Sequence, residues 1–462
     1  MKDKQPQSIY FVGAGGIGMA NLVRYYLRHG VKVGGYDRTP SALTDALISE
    51  GADIGFEDDP ALVGPEFRNP ATTLVVYTPA VPESNRILTM FREGGFEVIK
   101  RAALLGKITR NSRAICIAGS HGKTTTCSMT ANILRNSEVG CTAFLGGILR
   151  NTGSNLVLQE ESDVTVIEAD EYDRSFHHLT PWIAVVTSTD PDHLDIYGDE
   201  AHYLEAFSIF TSLIRPGGTL ITHTGLNYLP ETKEGVTVET YSGGSEGDWH
   251  TENIRFGNGK ILFDLIGPDV RITDVNPGVP AEINIDNAVA AAAAAWHAGA
   301  SDDEIRNGLA EFRGARRRFE IHLDGSDNPS GTVLIDDYAH SPHEVEASIA
   351  SIRKLYPGKR LSVIFQPHLY TRTRDFAADF AKALSGADEV IMPEIYAARE
   401  LPIPGVDSHI ILSRIEKAEK HYCERKDLLN LIKNSNFEIL MTLGAADIDR
   451  IIPKVKEILQ NS

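Results

Sequence analysis

Residues 113–126 of this 462-residue chain read RAICIAGSHGKTTT, an apolar run followed directly by a glycine-rich loop. Glycines in such a loop let backbone amides approach phosphate oxygens, while the lysine reaches the phosphates and the following hydroxyl ligates magnesium. The usual pattern has glycine where Ile117 stands, and a structural turn without nucleotide is the alternative. The flanking strand and helix patterns favour an ATP site in a parallel α/β domain. Its candidate residues are Gly119, Ser120, His121, Gly122, Lys123, Thr124 and Thr125.

A second glycine cluster, GAGGIG, lies at residues 13–18 between a predicted strand and a predicted helix. It matches the dinucleotide fingerprint at Gly13, Gly15 and Gly18, with Asp37 about 20 residues further on. Such a turn brings backbone amides and a helix N-terminus to a pyrophosphate. Taken alone, it favours an NAD-dependent oxidoreductase, or a tight turn that binds nothing. It indicates a nucleotide pyrophosphate better than it indicates a nicotinamide.

Composition excludes several classes of protein. The chain has 45 basic and 63 acidic residues, a net charge of −18, which disfavours binding to a nucleic-acid backbone. Its four cysteines lack metal-site spacing and are typical of reduced residues in a cytosolic protein. The polar start MKDKQPQS does not resemble a signal peptide, and no apolar run approaches the ~18 residues of a membrane helix. We therefore expect a cytoplasmic protein without nucleic-acid partners or membrane insertion.

Short apolar runs alternate with helical patterns along nearly the whole chain, which predicts α/β architecture with largely parallel sheets. The length suggests about three domains. We place a Rossmann-like domain at 1–109, a central P-loop ATPase-like domain at 110–313 and a second Rossmann-like α/β domain at 314–462. Residues 235–275 differ, because short strand-like runs broken by glycine indicate an antiparallel patch there.

Acidic residues follow two predicted strands of the central domain. EADEYD at 168–173 offers Glu168 as the first candidate for a magnesium ligand, with Asp170 and Glu171 beside it. His193 lies in the acidic turn STDPDHLDIYG and is a candidate ligand for a second metal. A solvated acidic loop and a structural histidine are the alternatives.

The last third of the chain carries polar motifs at predicted strand ends. Arg372 and Arg374 could hold a carboxylate or a phosphate through paired donors, and the basic cluster 316–318 lies at the inferred domain junction. Asn284 and Asn287 are spaced to present amides to a base, although helix capping explains Asn284 more simply.

Eight segments occur in one order along the chain and together resemble the Mur ligases of bacterial cell-wall synthesis. The resemblance implies three domains that bind UDP-N-acetylmuramate, ATP and an amino acid. It further implies an enzyme that joins L-alanine to the sugar carboxylate through an acyl phosphate, with ATP and Mg²⁺ or Mn²⁺. The segments are GSHGKTTT, EADEYDRSFHHL, TDPDHLDIYG, NIDNAVAAAAA, RGARRRFE, DDYAHSPHEV, FQPHLYTRTRDF and IYAARELPIPGVDS.

The resemblance also implies roles for individual residues. Lys123 would contact the γ-phosphate, Thr124 and Glu168 one magnesium ion, and His193 a second. Arg318 would lie near the reacting phosphates. Further ATP contacts would be Asn287 and Asp337, and the amino acid would meet Tyr338, His368 and Arg372. The UDP-sugar would be held by Gly15, Gly16, Ile17, Gly18, Asp37, Ser84, Asn85 and Arg101.

Three positions depart from the family pattern. The adenine helix begins INIDN and lacks a usual histidine, and residues 53–58 lack the histidine expected near the uracil. Leu369 replaces an arginine near the amino-acid carboxylate, which bears on the choice of amino acid.

Three other functions remain open at this point. A murein tripeptide ligase shares the phosphate loop, although HLYTRTRD favours the alanine enzyme. An NAD-dependent oxidoreductase leaves Lys123, Glu168 and His193 unexplained. A catalytically silent nucleotide-binding regulator is the third, and the intact Gly-Lys-Thr loop disfavours it. We expect small-molecule substrates and a monomer or homodimer.

Overall fold

The computed structural model divides the chain into two compact units. It describes residues 6–257, 259–314, 317–326, 328–398, 400–445 and 447–461, without the side chains of Leu194 and Asp195. One unit comprises Met1–Thr251, Leu265–Ile272 and Asn287–Glu311; the other comprises Glu252–Asp264, Thr273–Asp286 and Phe312–Ser462. Within the described residues, none of the helices has the length and apolar character needed to cross a membrane.

A five-stranded parallel sheet begins the first unit, in the strand order β3-β2-β1-β4-β5. Strands β2 and β3 are added on one side of β1, and β4 and β5 on the other, so the strand order reverses between β1 and β4. Ligands of Rossmann-like folds bind outside the carboxyl ends of the strands at such a point. The cluster at 13–18 directly follows β1. The strands are β1 (Ser8–Val12), β2 (Lys32–Tyr36), β3 (Asp53–Gly55), β4 (Thr73–Tyr77) and β5 (Glu97–Lys100), and the helices are α1 (Ile17–Arg28), α2 (Ala42–Ser49), α3 (Arg86–Glu93) and α4 (Arg101–Arg110).

A seven-stranded sheet follows in the same unit, in the order β12-β11-β10-β6-β9-β7-β8. Only β8 runs antiparallel to its neighbour. Strand β6, which leads into the phosphate loop, is central and buried, so the loop has a rigid support. The strands are β6 (Arg113–Ala118), β7 (Thr142–Leu149), β8 (Ser154–Val157), β9 (Val164–Glu168), β10 (Ile183–Val186), β11 (Thr219–His223) and β12 (Thr237–Tyr241), and the helices are α5 (Lys123–Arg135), α6 (Leu194–Tyr197) and α7 (Glu200–Ser212).

The prediction of an antiparallel patch at 235–275 is wrong for its first strand. Residues 237–241 form β12, which pairs in parallel with β11 as the edge of the central sheet. A separate three-stranded sheet follows, in the order β13-β14-β15. Its strands are β13 (His250–Gly257), β14 (Lys260–Gly267) and β15 (Val270–Val275), and the next helices are α8 (Ile283–Ala298) and α9 (Asp302–Ala310).

The second unit contains a six-stranded sheet in the order β16-β17-β21-β18-β19-β20. Strand β16 is antiparallel to β17, and the other pairings are parallel. The strands are β16 (Glu320–Asp324), β17 (Val333–Asp337), β18 (Leu361–Phe365), β19 (Glu389–Met392), β20 (Glu419–Tyr422) and β21 (Ile439–Leu443). The helices are α10 (Pro342–Leu355), α11 (Tyr370–Asp375), α12 (Ala377–Leu384), α13 (His409–Leu412), α14 (Leu428–Lys433) and α15 (Ile452–Gln460).

Glu239 of β12 links the edge of the central sheet to two neighbouring side chains. Its Oε2 accepts a hydrogen bond from Trp249 Nε1 at 2.7 Å and lies 2.7 Å from Nε2 of His297. Burial raises the pKa of Glu239, but the hydrogen bonds from His297 and Trp249 outweigh it and hold that pKa below its ordinary value. The carboxylate therefore adds stability above the ordinary pKa of glutamate, and this stability is lost as the pH falls through the depressed folded value.

We expect Glu239→Gln to lower the free energy of unfolding at pH 7 by about 1–3 kcal/mol, because buried donors lose a charged acceptor. The melting temperature at pH 7 and at acidic pH measures this, and the difference from the unmodified chain should shrink in acid. Glu83, whose side chain is 80% exposed in its pair with Arg92, provides the control Glu83→Gln, which should melt unchanged. Equal melting of the two variants at pH 7 would contradict the prediction.

Candidate active site

The phosphate loop has the backbone geometry that an anion requires. Gly119 and Gly122 have φ of 138° and 83°, a region that side chains disfavour. An added Cβ at Gly119 would collide with the hydroxyl of Thr187, and one at Gly122 would lie 2.7 Å from Oδ1 of Asn287. Helix α5 begins at Lys123, and its first turn has no side-chain cap among the described residues. The amides of this turn therefore point to a phosphate site.

Lys123 is held at the loop by hydrogen bonds on two sides. Its Nζ donates to the carbonyl of Gly119 and, over 2.9 Å, to Oε1 of Glu171. Burial raises the pKa of Glu171, and the ammonium of Lys123 opposes that rise. The loop therefore contains a buried ion pair between Lys123 and Glu171.

Thr124 and Glu168 face each other across a hydrogen bond of 2.9 Å from Oγ1 to Oε1. The other carboxylate oxygen, Oε2, accepts from the backbone N of Gly146 at 2.9 Å. Any side chain at position 146 would collide with Glu168, so glycine is needed for this close approach. A hydroxyl and a carboxylate oxygen side by side form a donor set that suits Mg²⁺.

His193 lies in the neighbouring turn with a left-handed φ of 53°. Its Nε2 is 3.9 Å from Oε1 of Glu171 and 3.7 Å from Oδ2 of Asp192. The imidazole thus faces the carboxylate that also binds Lys123. Non-glycine residues in this backbone region are uncommon and cluster at functional sites.

The other carboxylates of the EADEYD loop bind basic residues at the start of α4. Asp170 pairs with Arg101 at 3.1 Å, and Asp173 pairs with Lys100 at 2.7 Å. The sequence grouped Asp170 with the magnesium candidates, but its side chain is directed to Arg101. Arg101 in turn lies against Gly18, where an added Cβ would collide with the guanidinium.

The backbone of the first glycine loop is hydrogen-bonded to Asp37, the acidic residue that follows β2. The backbone N of Gly15 donates to Oδ2 of Asp37 at 2.7 Å, and the carbonyl of Ile17 accepts from Nδ2 of Asn155 at 2.7 Å. Gly16 is the N-cap position of α1, and within the part of the chain that the structure describes no side chain caps this helix. The helix start is therefore available to a pyrophosphate.

The remaining candidates of the first unit lie near these loops or at helix starts. Ser120 donates to the carbonyl of Asp190 at 2.6 Å, and the backbone N of His121 donates to Ser188 Oγ at 2.7 Å. Asn287 is buried and accepts from Thr126 Oγ1 at 3.1 Å, directly behind the phosphate loop. Thr125 is half-buried in the first turn of α5, and Ser84 is exposed. Asn85 caps α3 by accepting from the N of Leu88 at 2.8 Å.

The second unit gathers several candidates around Tyr338. The guanidinium carbons of Arg317 and Arg318 lie 5.1 and 5.2 Å from the centre of its ring. Asp337 is buried; its Oδ1 accepts from the N of Phe319 at 3.2 Å and its Oδ2 accepts from the hydroxyl of Ser348. Arg316 of the basic cluster lies outside the described residues.

His368 and Arg372 lie close in this unit. Burial and the positive charge of Arg372 lower the pKa of His368, and the same two causes, with Glu344 opposing, lower that of His340. The Nδ1 of His368 is buried without a hydrogen-bond partner in the described part of the chain. Sequence reasoning missed His340, although the motif DDYAHSPHE contains it. The guanidinium of Arg372 near these two imidazoles offers a cation to an anionic group of a small ligand.

Leu369, where the family pattern has arginine, has a left-handed φ of 70°. Its N donates to the carbonyl of Tyr396 at 3.0 Å, and its carbonyl accepts from Thr373 Oγ1 at 2.7 Å. These hydrogen bonds hold a backbone conformation that leucine disfavours.

Sequence models of three Mur ligase domains match consecutive parts of the chain. The Mur ligase family catalytic domain matches residues 8–113, the middle domain 117–295 and the glutamate ligase domain 317–438. The chain is 55% identical to the UDP-N-acetylmuramate–L-alanine ligase of Parabacteroides distasonis over 98% of this chain and 97% of that protein. The chain belongs to the Mur ligase family. The enzyme of the same name from Phocaeicola vulgatus is 53% identical over 98% of both chains.

Solved structures agree with the Mur ligase fold of this chain. The UDP-N-acetylmuramate-alanine ligase MurC of Thermotoga maritima superposes with a TM-score of 0.79 at 26% identity and covers 98% of both chains. A murein peptide ligase from Psychrobacter arcticus gives a TM-score of 0.63 at 20% identity over 99% of both chains, a likeness of fold alone. The predicted three-domain α/β architecture of a Mur ligase is confirmed.

Proposed function

We propose that the chain is an ATP-dependent ligase that joins L-alanine to the carboxylate of UDP-N-acetylmuramate, in the synthesis of peptidoglycan precursors. The observation that carries the proposal is the phosphate loop, in which Lys123 donates to Glu171 and Thr124 donates to Glu168, in a chain 55% identical to an enzyme of that name. We assign the three domains to residues 1–109, 110–313 and 314–462, and the protein to the cytoplasm.

The reaction would proceed in two substitutions. The substrate carboxylate attacks the γ-phosphorus of ATP, which gives an acyl phosphate and ADP. The neutral amine of alanine then attacks the acyl carbon, the bond from that carbon to the phosphate oxygen breaks, and one amine proton ends on the released phosphate, which gives the amide and inorganic phosphate. Both steps build negative charge on oxygen, and preorganised cations and amides stabilise such charge. No protein nucleophile is required, so positioning supplies most of the rate.

The residues divide by ligand. Lys123 and the amides of loop 119–125 would hold the ATP phosphates, and Asn287, Arg318 and Asp337 would make the other ATP contacts. Thr124 and Glu168 would hold one Mg²⁺ or Mn²⁺ ion and His193 a second, and such ions supply Lewis-acid stabilisation of phosphate charge when bound. Tyr338, His368 and Arg372 would bind the amino acid. The UDP-sugar would meet Gly15, Gly16, Ile17, Gly18, Asp37, Ser84, Asn85 and Arg101.

Phosphate release from ATP and magnesium tests the proposal, with UDP-N-acetylmuramate and a panel of single amino acids or the murein tripeptide. We expect release to require the UDP-sugar and to be highest with L-alanine. Release with the tripeptide alone would instead assign a peptide ligase. Serine and glycine belong in the panel because Leu369 stands where the family pattern has arginine.

A further inference from the structure

Glu171 is a buried carboxylate beside the residues that the reaction would use. Its side chain is 2% exposed. The Nζ of Lys123 lies 2.9 Å from both carboxylate oxygens, and its hydrogen bond goes to Oε1. Oε2 accepts no hydrogen bond within the described residues. The Nε2 of His193 lies 3.9 Å from Oε1. One carboxylate therefore stands between the lysine of the phosphate loop and the histidine of the adjacent turn.

The backbone around Glu171 is fixed by several hydrogen bonds. Its carbonyl accepts from the hydroxyl of Tyr197 at 2.5 Å and from the N of Arg174 at 3.0 Å. Asp173 and Arg174 have left-handed φ of 52° and 53°. A buried carboxylate and two strained residues both cost stability, and such costs are characteristic of functional sites.

The hydrogen-bond donors of the Lys123 ammonium indicate a role for Glu171. Lys123 has three N–H donors: one goes to Glu171, one to the carbonyl of Gly119, and the ammonium also lies 3.4 Å from the carbonyl of Ser120 in the same loop. A phosphate entering the loop from the solvent side can take the place of Gly119 as acceptor. Glu171 is only 2% exposed, so this carboxylate remains the buried partner of the ammonium.

We propose that Glu171 is the positioning residue for Lys123: it holds the ammonium at loop 119–124 so that the remaining N–H groups face the terminal phosphate of the nucleotide. This inference rests on the proposed function and adds a residue to it. It predicts that replacing Glu171 lowers turnover without weakening the binding of nucleotide. Glutamine at 171 retains the shape and one acceptor oxygen but removes a negative charge near the phosphate site.

We expect Glu171→Gln to lower kcat roughly 10- to 100-fold, because a misplaced catalytic group costs about this much. The dissociation constant of this variant for a non-hydrolysable ATP analogue should stay equal or fall, because the phosphates of the analogue no longer face the negative charge of Glu171. Glu171→Asp retains the charge but withdraws it from Lys123, so kcat should fall without tighter binding. Glu97→Gln, in the exposed pair with Lys107, removes an equal charge and should change neither quantity.

Phosphate release gives kcat, calorimetric titration with the ATP analogue and magnesium gives the dissociation constant, and thermal melting reports folding. Unchanged kcat in Glu171→Gln and Glu171→Asp would overturn the inference. Parallel loss of melting temperature, analogue binding and kcat in both would also overturn it, because that pattern indicates a structural role. If the unmodified protein bound no ATP analogue, the proposed function itself would fail. If the unmodified protein bound the ATP analogue and released phosphate but the variants did not behave as predicted, only the role of Glu171 would be wrong, and the proposed function would stand.

Discussion

Replacing Lys123 by alanine is expected to lower ligase turnover by about 10³-fold, the largest of the effects predicted for this chain. The ammonium is the cation that the phosphate loop directs at its ligand, and its charge would offset the charge that develops on the transferred phosphoryl group. The measurement is phosphate release with saturating ATP, magnesium, UDP-N-acetylmuramate and L-alanine.

Lys107→Ala provides the matched control for this substitution. Lys107 also pairs with a glutamate, at 2.6 Å from Glu97, but lies on α4 in a more exposed pair and is not a candidate site residue. We expect its turnover to remain that of the unmodified chain, and circular dichroism should show both variants folded. Turnover of Lys123→Ala within a few-fold of Lys107→Ala would exclude the assigned role of the lysine.

Glu168→Gln is expected to lower turnover by about 10²-fold or more, because a neutral amide is a poorer ligand for Mg²⁺ than a carboxylate. The substitution preserves side-chain size, so the close contact with Gly146 remains possible. The magnesium concentration that gives half-maximal phosphate release should rise as well. Raising magnesium should therefore restore part of the lost rate.

Asp163→Asn serves as its control, because Asp163 directly precedes β9 and Glu168 ends the same strand. Asp163 pairs with Arg113 at 2.8 Å and is largely exposed. Its replacement should leave both turnover and the magnesium requirement unchanged. If Glu168→Gln required no more magnesium than Asp163→Asn, the metal assignment of Glu168 would be wrong.

Local sequence patterns were sufficient to predict a strand where the apolar residues of that strand alone determine it. The alternation of short apolar runs predicted parallel strands in general; for example, the runs SIYFVG, VKVGGYD and LSVIFQP contain the strands Ser8–Val12, Lys32–Tyr36 and Leu361–Phe365. Strands β3 and β5 were missed because they are short and carry weak apolar patterns. Strand β12 was assigned to the wrong sheet, because nothing in TVETY specifies whether it pairs with an earlier or a later strand.

Partners of the site residues could not be predicted in the same way. The sequence identified Lys123, Glu168 and Glu171 as candidates but did not distinguish the carboxylate that faces the hydroxyl of Thr124 from the one that faces the ammonium. Gly146 gave no signal, because a glycine in strand β7 acquires its meaning only from the carboxylate of β9 beside it. Asp170 was grouped with the metal ligands, and its pairing with Arg101 depends on α4, about seventy residues earlier in the chain.

The sequence by itself determined the α/β class, the two glycine loops and the family, because strand periodicity, glycine spacing and motif order are local properties of the chain. Tertiary structure alone decided which carboxylate serves which partner. The parallel strands β6 and β9 bring their carboxyl ends to one sheet edge, so Lys123 and Glu171, 48 positions apart, form a buried ion pair. Such a pairing depends on which strands become neighbours in the sheet, and the residues around Lys123 do not specify that β9 lies beside β6.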